Sequence, residues 1–203
     1  MENNASKFWT LCQKAETRSQ EGDYNLAIYI FNEALDIPGF ENNYWALGHR
    51  AESHRQEDNY SAAQADFEAA LTVNPNYIWG LAHLAETHYD LGEYQKALEY
   101  FDKAIELSGG EYAWALAHRG QVLRLYDPPG GSHTLENENW RQALADFKAA
   151  EKQDSQYAWA IAYQSVMHAL LGEYKEAWQA LERAIRIDPH IMEQAVELLE
   201  HED

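Results

Sequence analysis

The chain has 203 residues, with 15 Lys+Arg against 34 Asp+Glu and a formal net charge of -19. A single cysteine, Cys12, excludes an internal disulfide framework and points to a reducing compartment. No run approaches the roughly eighteen apolar residues of a membrane span, and a charge this negative repels phosphate backbones and anionic lipid. The opening MENNASKFWTLCQKAE lacks a basic stretch followed by an apolar one, so no signal peptide is read and a cytoplasmic protein is expected, with neither nucleic acid nor membrane as partner.

In chain order, the first element is the amphipathic stretch FWTLCQKAETRSQ from Phe8, followed by GDYNLAIYIFNEALDIP. YWALGHRAESHRQ from Tyr44 precedes DNYSAAQADFEAALTVNP, and IWGLAHLAETHYD from Ile78 precedes GEYQKALEYFDKAIELSG. AWALAHRGQVLRL from Ala113 leads, after an insertion, to ENWRQALADFKAAEKQDS, and AWAIAYQSVMHAL from Ala158 leads to GEYKEAWQALERAIRIDP. The chain closes on IMEQAVELLEHED. Within the second stretch of each pair an aromatic (Tyr24, Tyr60, Tyr94, Trp140, Tyr174) is followed at three residues by Ala27, Ala63, Ala97, Ala143 or Ala177. Four further on stands Phe31, Phe67, Phe101, Phe147 or Leu181, and three beyond that Ala34, Ala70, Ala104, Ala150 or Ala184. A 3-4-3 spacing is one stripe of a helix, and small alanines on it allow a neighbouring helix to approach closely. Gly22, Gly92 and Gly172 lie where the first helix must stop, while Pro75 and Pro189 close second helices, with Pro38 one residue early.

A helix-turn-helix unit recurring at about 34 residues with this small/aromatic pattern resembles the tetratricopeptide repeat family over nearly the whole chain. The resemblance implies an all-α fold, a right-handed α-solenoid of antiparallel helix pairs forming a single domain over 1–203. Its repeats are expected at about 8–43, 44–77, 78–112, 113–157 (with an insertion over 127–139) and 158–191, and a capping helix at 192–201. It also implies a concave groove lined mainly by the first helices. Departures from the family pattern are Ala15, Ala51, Ala85 and Ser165 where glycine is usual, and Arg18, His54, His88, Leu123 and His168 where tyrosine is common.

Helix arithmetic at 100° per residue assigns the fourth, eighth and eleventh residues of each first helix to the face that packs within the repeat. The second position points nearly opposite and holds Trp9, Trp45, Trp79, Trp114 and Trp159, a tryptophan in every repeat. Two readings of this row stand open. Each indole packs sideways on the next first helix or under a turn residue such as Tyr77, Tyr112 or Tyr157; or the row is an aromatic ladder that grips a peptide. Both can hold together. The fifth residues (Cys12, Gly48, Ala82, Ala117, Ala162) are small and are expected to leave room beside the indoles. The ninth positions run Glu16, Glu52, Glu86, Gln121, Val166, and Arg55, Tyr89 and Arg124 stand at the twelfth. The groove is therefore expected to be acidic toward the N-terminal repeats and apolar toward the C-terminal ones. The expected contact set is Trp9, Trp45, Glu52, Arg55, Trp79, Glu86, Tyr89, Trp114, Arg124 and Trp159. A basic or amphipathic segment would complement its charge.

His49, His83 and His118 occupy equivalent positions on three first helices. The intrahelical pairs His49/His54 and His83/His88 are five apart and diverge, and equivalent sites on adjacent helices lie about 8–10 Å apart, so hydrogen bonding in the groove wall is favoured over metal binding. No metal or cofactor is expected. Cys12 has no nearby activating base in the sequence, and the glycines of the insertion are not followed by the Lys-Ser/Thr of a phosphate loop. No catalytic motif is found, and the expectation is not an enzyme but an adaptor or scaffold that binds a peptide or helical segment of a partner protein. Two alternatives remain: a secretion-type or assembly chaperone shielding an apolar cargo segment, and a structural protein that forms a homo-oligomer.

Overall fold

The structure is a computed structural model that describes residues 3–126 and 138–191. Ten helices and no strand occur among those residues. They are α1 (Asn4–Gln20), α2 (Tyr24–Leu35), α3 (Tyr44–Gln56), α4 (Tyr60–Val73), α5 (Ile78–Asp90), α6 (Tyr94–Leu107), α7 (Ala113–Leu125), α8 (Glu138–Gln153), α9 (Ala158–Leu170) and α10 (Tyr174–Ile187). No described helix is long and apolar enough to cross a membrane. The chain divides into two compact units, Met1–Ala104 and Ile105–Asp203, the division falling within α6.

Local chemistry sets the helix boundaries. The side chains of Asn3, Asp23 and Asn43 accept hydrogen bonds from the backbone N–H of Ser6, Leu26 and Ala46, satisfying donors that an N-terminal turn leaves open. The turn from first to second helix needs a left-handed residue, and Gly22, Gly92 and Gly172 supply it at φ of 80°, 72° and 78°. In the second repeat Asp58 takes that conformation at φ 56°, and its Oδ1 accepts from the Tyr60 hydroxyl at 2.7 Å. Pro75 and Pro189 each follow the C-cap residue of a second helix, Asn74 and Asp188. The expected insertion lies almost wholly outside the described residues, as does the expected capping helix. Only its end is visible: α8 begins at Glu138 rather than Trp140, with a carboxylate in its first turn where the helix dipole favours one, and Asn139 Nδ2 donates to the Tyr126 carbonyl at 2.9 Å.

In the first unit α1 packs on α2 and α3 on α4, while α2 and α4 pack on the next first helices, α3 and α5. The 3-4-3 stripe forms the contact. Ala27, Phe31, Ala34, Ala63, Phe67 and Ala70 are fully buried, each phenylalanine contributing roughly 1.5–3 kcal/mol by removal from water. In the second unit α7 pairs with α8 and α9 with α10, and α8 packs on α9, with Ala143, Phe147 and Ala150 fully buried. Leu181, where the other repeats carry phenylalanine, is only half-buried. A bidentate pair ties the two helices of a repeat in each unit. Arg50 donates to Asp66 at 2.6 and 2.7 Å, and Arg119 to Asp146 at 2.8 and 2.7 Å. Both arginines stand seventh in their first helix. The planar guanidinium matches the carboxylate fork, so these pairs fix register as well as charge.

Candidate functional site on the first helices

The first helices place their second, sixth and ninth residues on one face, since steps of four and three return to the same side of a helix. In the first unit this builds a continuous aromatic row. The Trp9 and Trp45 rings lie 5.7 Å apart. His49 sits 4.1 Å from Trp45 within α3 and stacks at 4.7 Å on Trp79 of α5. Trp79 in turn lies 4.0 Å from His83. Tyr77, at the turn before α5, lies 5.8 Å from Trp79. The second unit repeats the motif. His118 lies 3.9 Å from Trp114 and stacks at 5.1 Å on Trp159, which is 4.4 Å from Tyr163, while Tyr112 and Tyr157 each stack 5.9 Å from the following tryptophan.

Both expected roles of the tryptophans are compatible with this packing. Trp45, Trp79, Trp114 and Trp159 are half-buried beside their ring partners, and Trp9 is 47% exposed. The interleaved imidazoles were the part that sequence reasoning missed as packing elements. Their signal was present, as the i,i+4 spacing of Trp45/His49, Trp79/His83 and Trp114/His118. The His118 ring also uses Nδ1, 2.9 Å from the Trp114 carbonyl oxygen.

The fifth positions correct the sequence reading. Cys12, Ala82 and Ala117 are fully buried, and Ala162 nearly so. They belong to the core, and they open no space beside the indoles. At Gly48 the room is taken by Tyr77, whose Cε1 would lie 2.8 Å from an added Cβ; at Gly80 the Tyr77 Cδ1 would lie only 2.4 Å away. The tyrosine ring is seated between two helices that both present glycine to it. Burial first, and then the Glu16 carboxylate, push the Cys12 thiol up to about 12. A group so held is a thiol at neutral pH and a poor nucleophile.

Two of the three ninth-position carboxylates, Glu52 and Glu86, are not part of a solvated acidic row. Glu52, Glu86, Arg55, Asp90 and His83 form one compact ionic cluster between α3 and α5. Arg55 Nη2 lies 2.9 Å from Glu52 Oε1 and 3.2 Å from Glu86 Oε2, and Arg55 Nη1 lies 2.8 Å from Asp90 Oδ2. His83 Nδ1 is 3.2 Å from Glu52 and 3.5 Å from Glu86. The Arg55 side chain is 13% exposed. Burial alone would raise the Glu52 carboxyl, but hydrogen bonds from His83 and Arg55 outweigh it and bring the group down to about 2. For His83, burial disfavours the proton, yet Glu52 and Glu86 hold it above its ordinary value. His49, lacking such a bond, goes the other way: burial, then the nearby His83, lower it to about 4 despite Glu52. The ring stacked between two indoles thus favours its neutral form, and the ring one helix on is shifted toward its protonated one.

Glu52, His83 and Glu86 could in principle hold a cation, since their ligand atoms all lie within 4.8 Å of one another. The Arg55 guanidinium already supplies the positive charge there, so a metal would have to displace it. Of the remaining expected contact residues, Tyr89 lies 5.9 Å from Tyr94, and Arg124 in the second unit lies over the Tyr163 ring at 5.7 Å. One helix pair earlier, between α1, α2 and α3, a cavity of about 290 Å³ opens, lined among others by Glu16, Ser19, Tyr24, Glu52, Ser53 and Gln56.

Comparison with known proteins agrees with this architecture. Two family profiles, each described as tetratricopeptide repeat, match residues 54–119 and 131–190. No curated protein matches the sequence. Among solved structures, MamA from Desulfovibrio magneticus superposes with a TM-score of 0.70 at 14% identity, over 90% of this chain and 96% of that one. YrrB, described as a TPR protein with an unusual peptide-binding site, superposes with a TM-score of 0.65 at 22% identity, over 94% of this chain and 90% of that one. A tetratricopeptide repeat protein from Parabacteroides merdae gives 0.68 at 21%, over 90% and 67%. Identities this low speak for the fold.

Proposed function

Because the chain belongs to the tetratricopeptide repeat family, we propose that it is a protein–protein interaction module whose first-helix face binds a peptide or helical segment of a partner. The observation that carries this reading is the partly exposed tryptophan at the same position of every first helix. An indole that is stacked on one side loses little conformational entropy on binding and still offers apolar area and an N–H to a ligand. The description of YrrB as peptide-binding supports the same use of the fold. The chemistry offered changes along the chain: Glu16 and Glu52 near the row favour a basic segment, and Gln121 and Val166 at the equivalent sites favour an uncharged one. This reading calls for no cofactor, and the buried thiol of Cys12 is a poor nucleophile.

The test is a selection of random peptides displayed on phage against the full chain, followed by affinity measurement with Trp45→Ala plus Trp79→Ala. A loss of about tenfold or more, with the helical circular dichroism retained, is expected. A folded double variant that binds the selected peptides as tightly as the parent would remove the first-helix face from the account.

A further inference from the structure

The ionic cluster and the cavity occupy equivalent places in successive helix pairs. Between α3 and α5, Arg55 at the twelfth position bridges three residues: Glu52 at the ninth position of its own helix, Glu86 at the ninth of the next first helix, and Asp90 at its thirteenth. Between α1 and α3 the same positions hold Ser19, Glu16, Glu52 and Gln56. The two glutamates are kept, Gln56 stands where Asp90 does, and the guanidinium is missing, replaced by a serine whose Oγ lies 2.9 Å from Ser53 Oγ. All four of these residues line the cavity of about 290 Å³. That volume is at the bottom of the roughly 300–1,000 Å³ range of small-molecule pockets, a size for one long side chain.

The acceptors differ in what they have left to give. Glu52 already accepts from Arg55 Nε and Nη2 and from Gln56 Nε2, and lies beside His83, so it contributes charge rather than a free lone pair. Glu16 has no hydrogen bond or ion pair within the described residues. The Gln56 amide, whose nitrogen is committed to Glu52, leaves its carbonyl oxygen as acceptor.

We propose that this cavity is a subsite for an arginine side chain of the bound segment, whose guanidinium takes against Glu16, Gln56 and Glu52 the place that Arg55 takes against Glu52, Asp90 and Glu86 in the next helix pair. The geometry suits the planar fork better than an ammonium, because acceptors on two helices must be reached at once. The inference rests on reading the first-helix face as a peptide-binding surface, and it names the partner's chemistry at one point of that face.

The test uses the full chain and two probes, N-acetyl-arginine amide and its neutral isostere N-acetyl-citrulline amide, followed by the amide NMR resonances of Ser19, Gln20, Ser53 and Gln56. Saturable shifts confined to these residues are expected with the arginine probe, with affinity about tenfold or more above that of the citrulline probe. Glu16→Gln should abolish the preference. Ser19→Arg should fill the cavity with the chain's own guanidinium, blocking the probe and raising the melting temperature relative to Ser19→Gln. Equal binding of both probes, binding that survives in Ser19→Arg, or no saturable shift at all would each overturn the subsite. Should selected peptides bind through Trp45 and Trp79 yet tolerate exchange of every arginine for citrulline, the subsite falls and the interaction reading stands. Loss of tryptophan-dependent binding itself would bring down both.

Discussion

The first helices of the two units use the same aromatic row and surround it with different chemistry. In the first unit the row ends against Glu52, Arg55, His83, Glu86 and Asp90, a cluster in which one guanidinium and one imidazole meet three carboxylates. In the second, the sixth-position histidine gives way in α9 to Tyr163, buried on Phe147 at 5.1 Å, and the ninth positions carry Gln121 and Val166. Tryptophan at the second position is therefore common to all five repeats, while the sixth and ninth positions differ between the units.

The sharpest way to break this contrast is to remove the cation of each face. Arg55→Ala strands three carboxylates in a half-buried notch and should cost about 3–5 kcal/mol in chemical denaturation. Arg124→Ala, which in the second unit gives up a contact over the Tyr163 ring, should cost about 1 kcal/mol. Comparable losses at the two sites would deny that the faces differ in kind.

Installing in the first unit the small residues of the second comes next. Where Gly48 and Gly80 receive the Tyr77 ring, the repeats of the second unit carry Ala117 and Ala160. Gly80→Ala should cost about 1–3 kcal/mol, because the added methyl meets the base of the ring at 2.4 Å. Gly48→Ala should cost less, since the nearer atoms lie toward the ring's free end. A neutral Gly80→Ala would show that Tyr77 has another seat.

A smaller effect separates the two histidines of the first-unit stack by pH. His83 holds its proton above the ordinary value of 6.5. Its stabilising contribution is complete below that unfolded value and is lost as pH rises through the higher folded one. His49 is lowered to about 4, so the unfolded chain binds a proton below 6.5 while the folded chain does not, and stability is lost as pH falls between those values. Melting temperatures should show His83→Gln flattening the slope above pH 6.5 and His49→Gln flattening it below. Variants that leave both slopes unchanged would contradict the assigned protonation states.

Repeat length, helix pairing and the buried 3-4-3 stripe are legible in the sequence, because each depends on local periodicity. Ala27, Phe31 and Ala34 can be placed in the core without any knowledge of their neighbours. The site is less legible, since it depends on which side chain fills a notch between helices. Nothing within α3 alone says that Arg55 reaches Glu86 and Asp90 of α5, so the ninth-position glutamates read as an open acidic row. The small fifth positions misled for a related reason: Gly48 is small because Tyr77, twenty-nine residues later in the chain, needs the space. The Arg50–Asp66 and Arg119–Asp146 pairs were within reach, being the same two positions in the second and fourth repeats.

The central claim is that a partner segment lies on the first-helix face, and the seven tryptophans report on it directly. Trp178, 63% exposed on α10, a second helix rather than a first, serves as an internal control. Indole N–H resonances recorded while a selected peptide is titrated in should move for Trp45 and Trp79 and stay still for Trp178. Shifts at Trp178 with Trp45 and Trp79 unmoved would place the partner elsewhere and contradict the account.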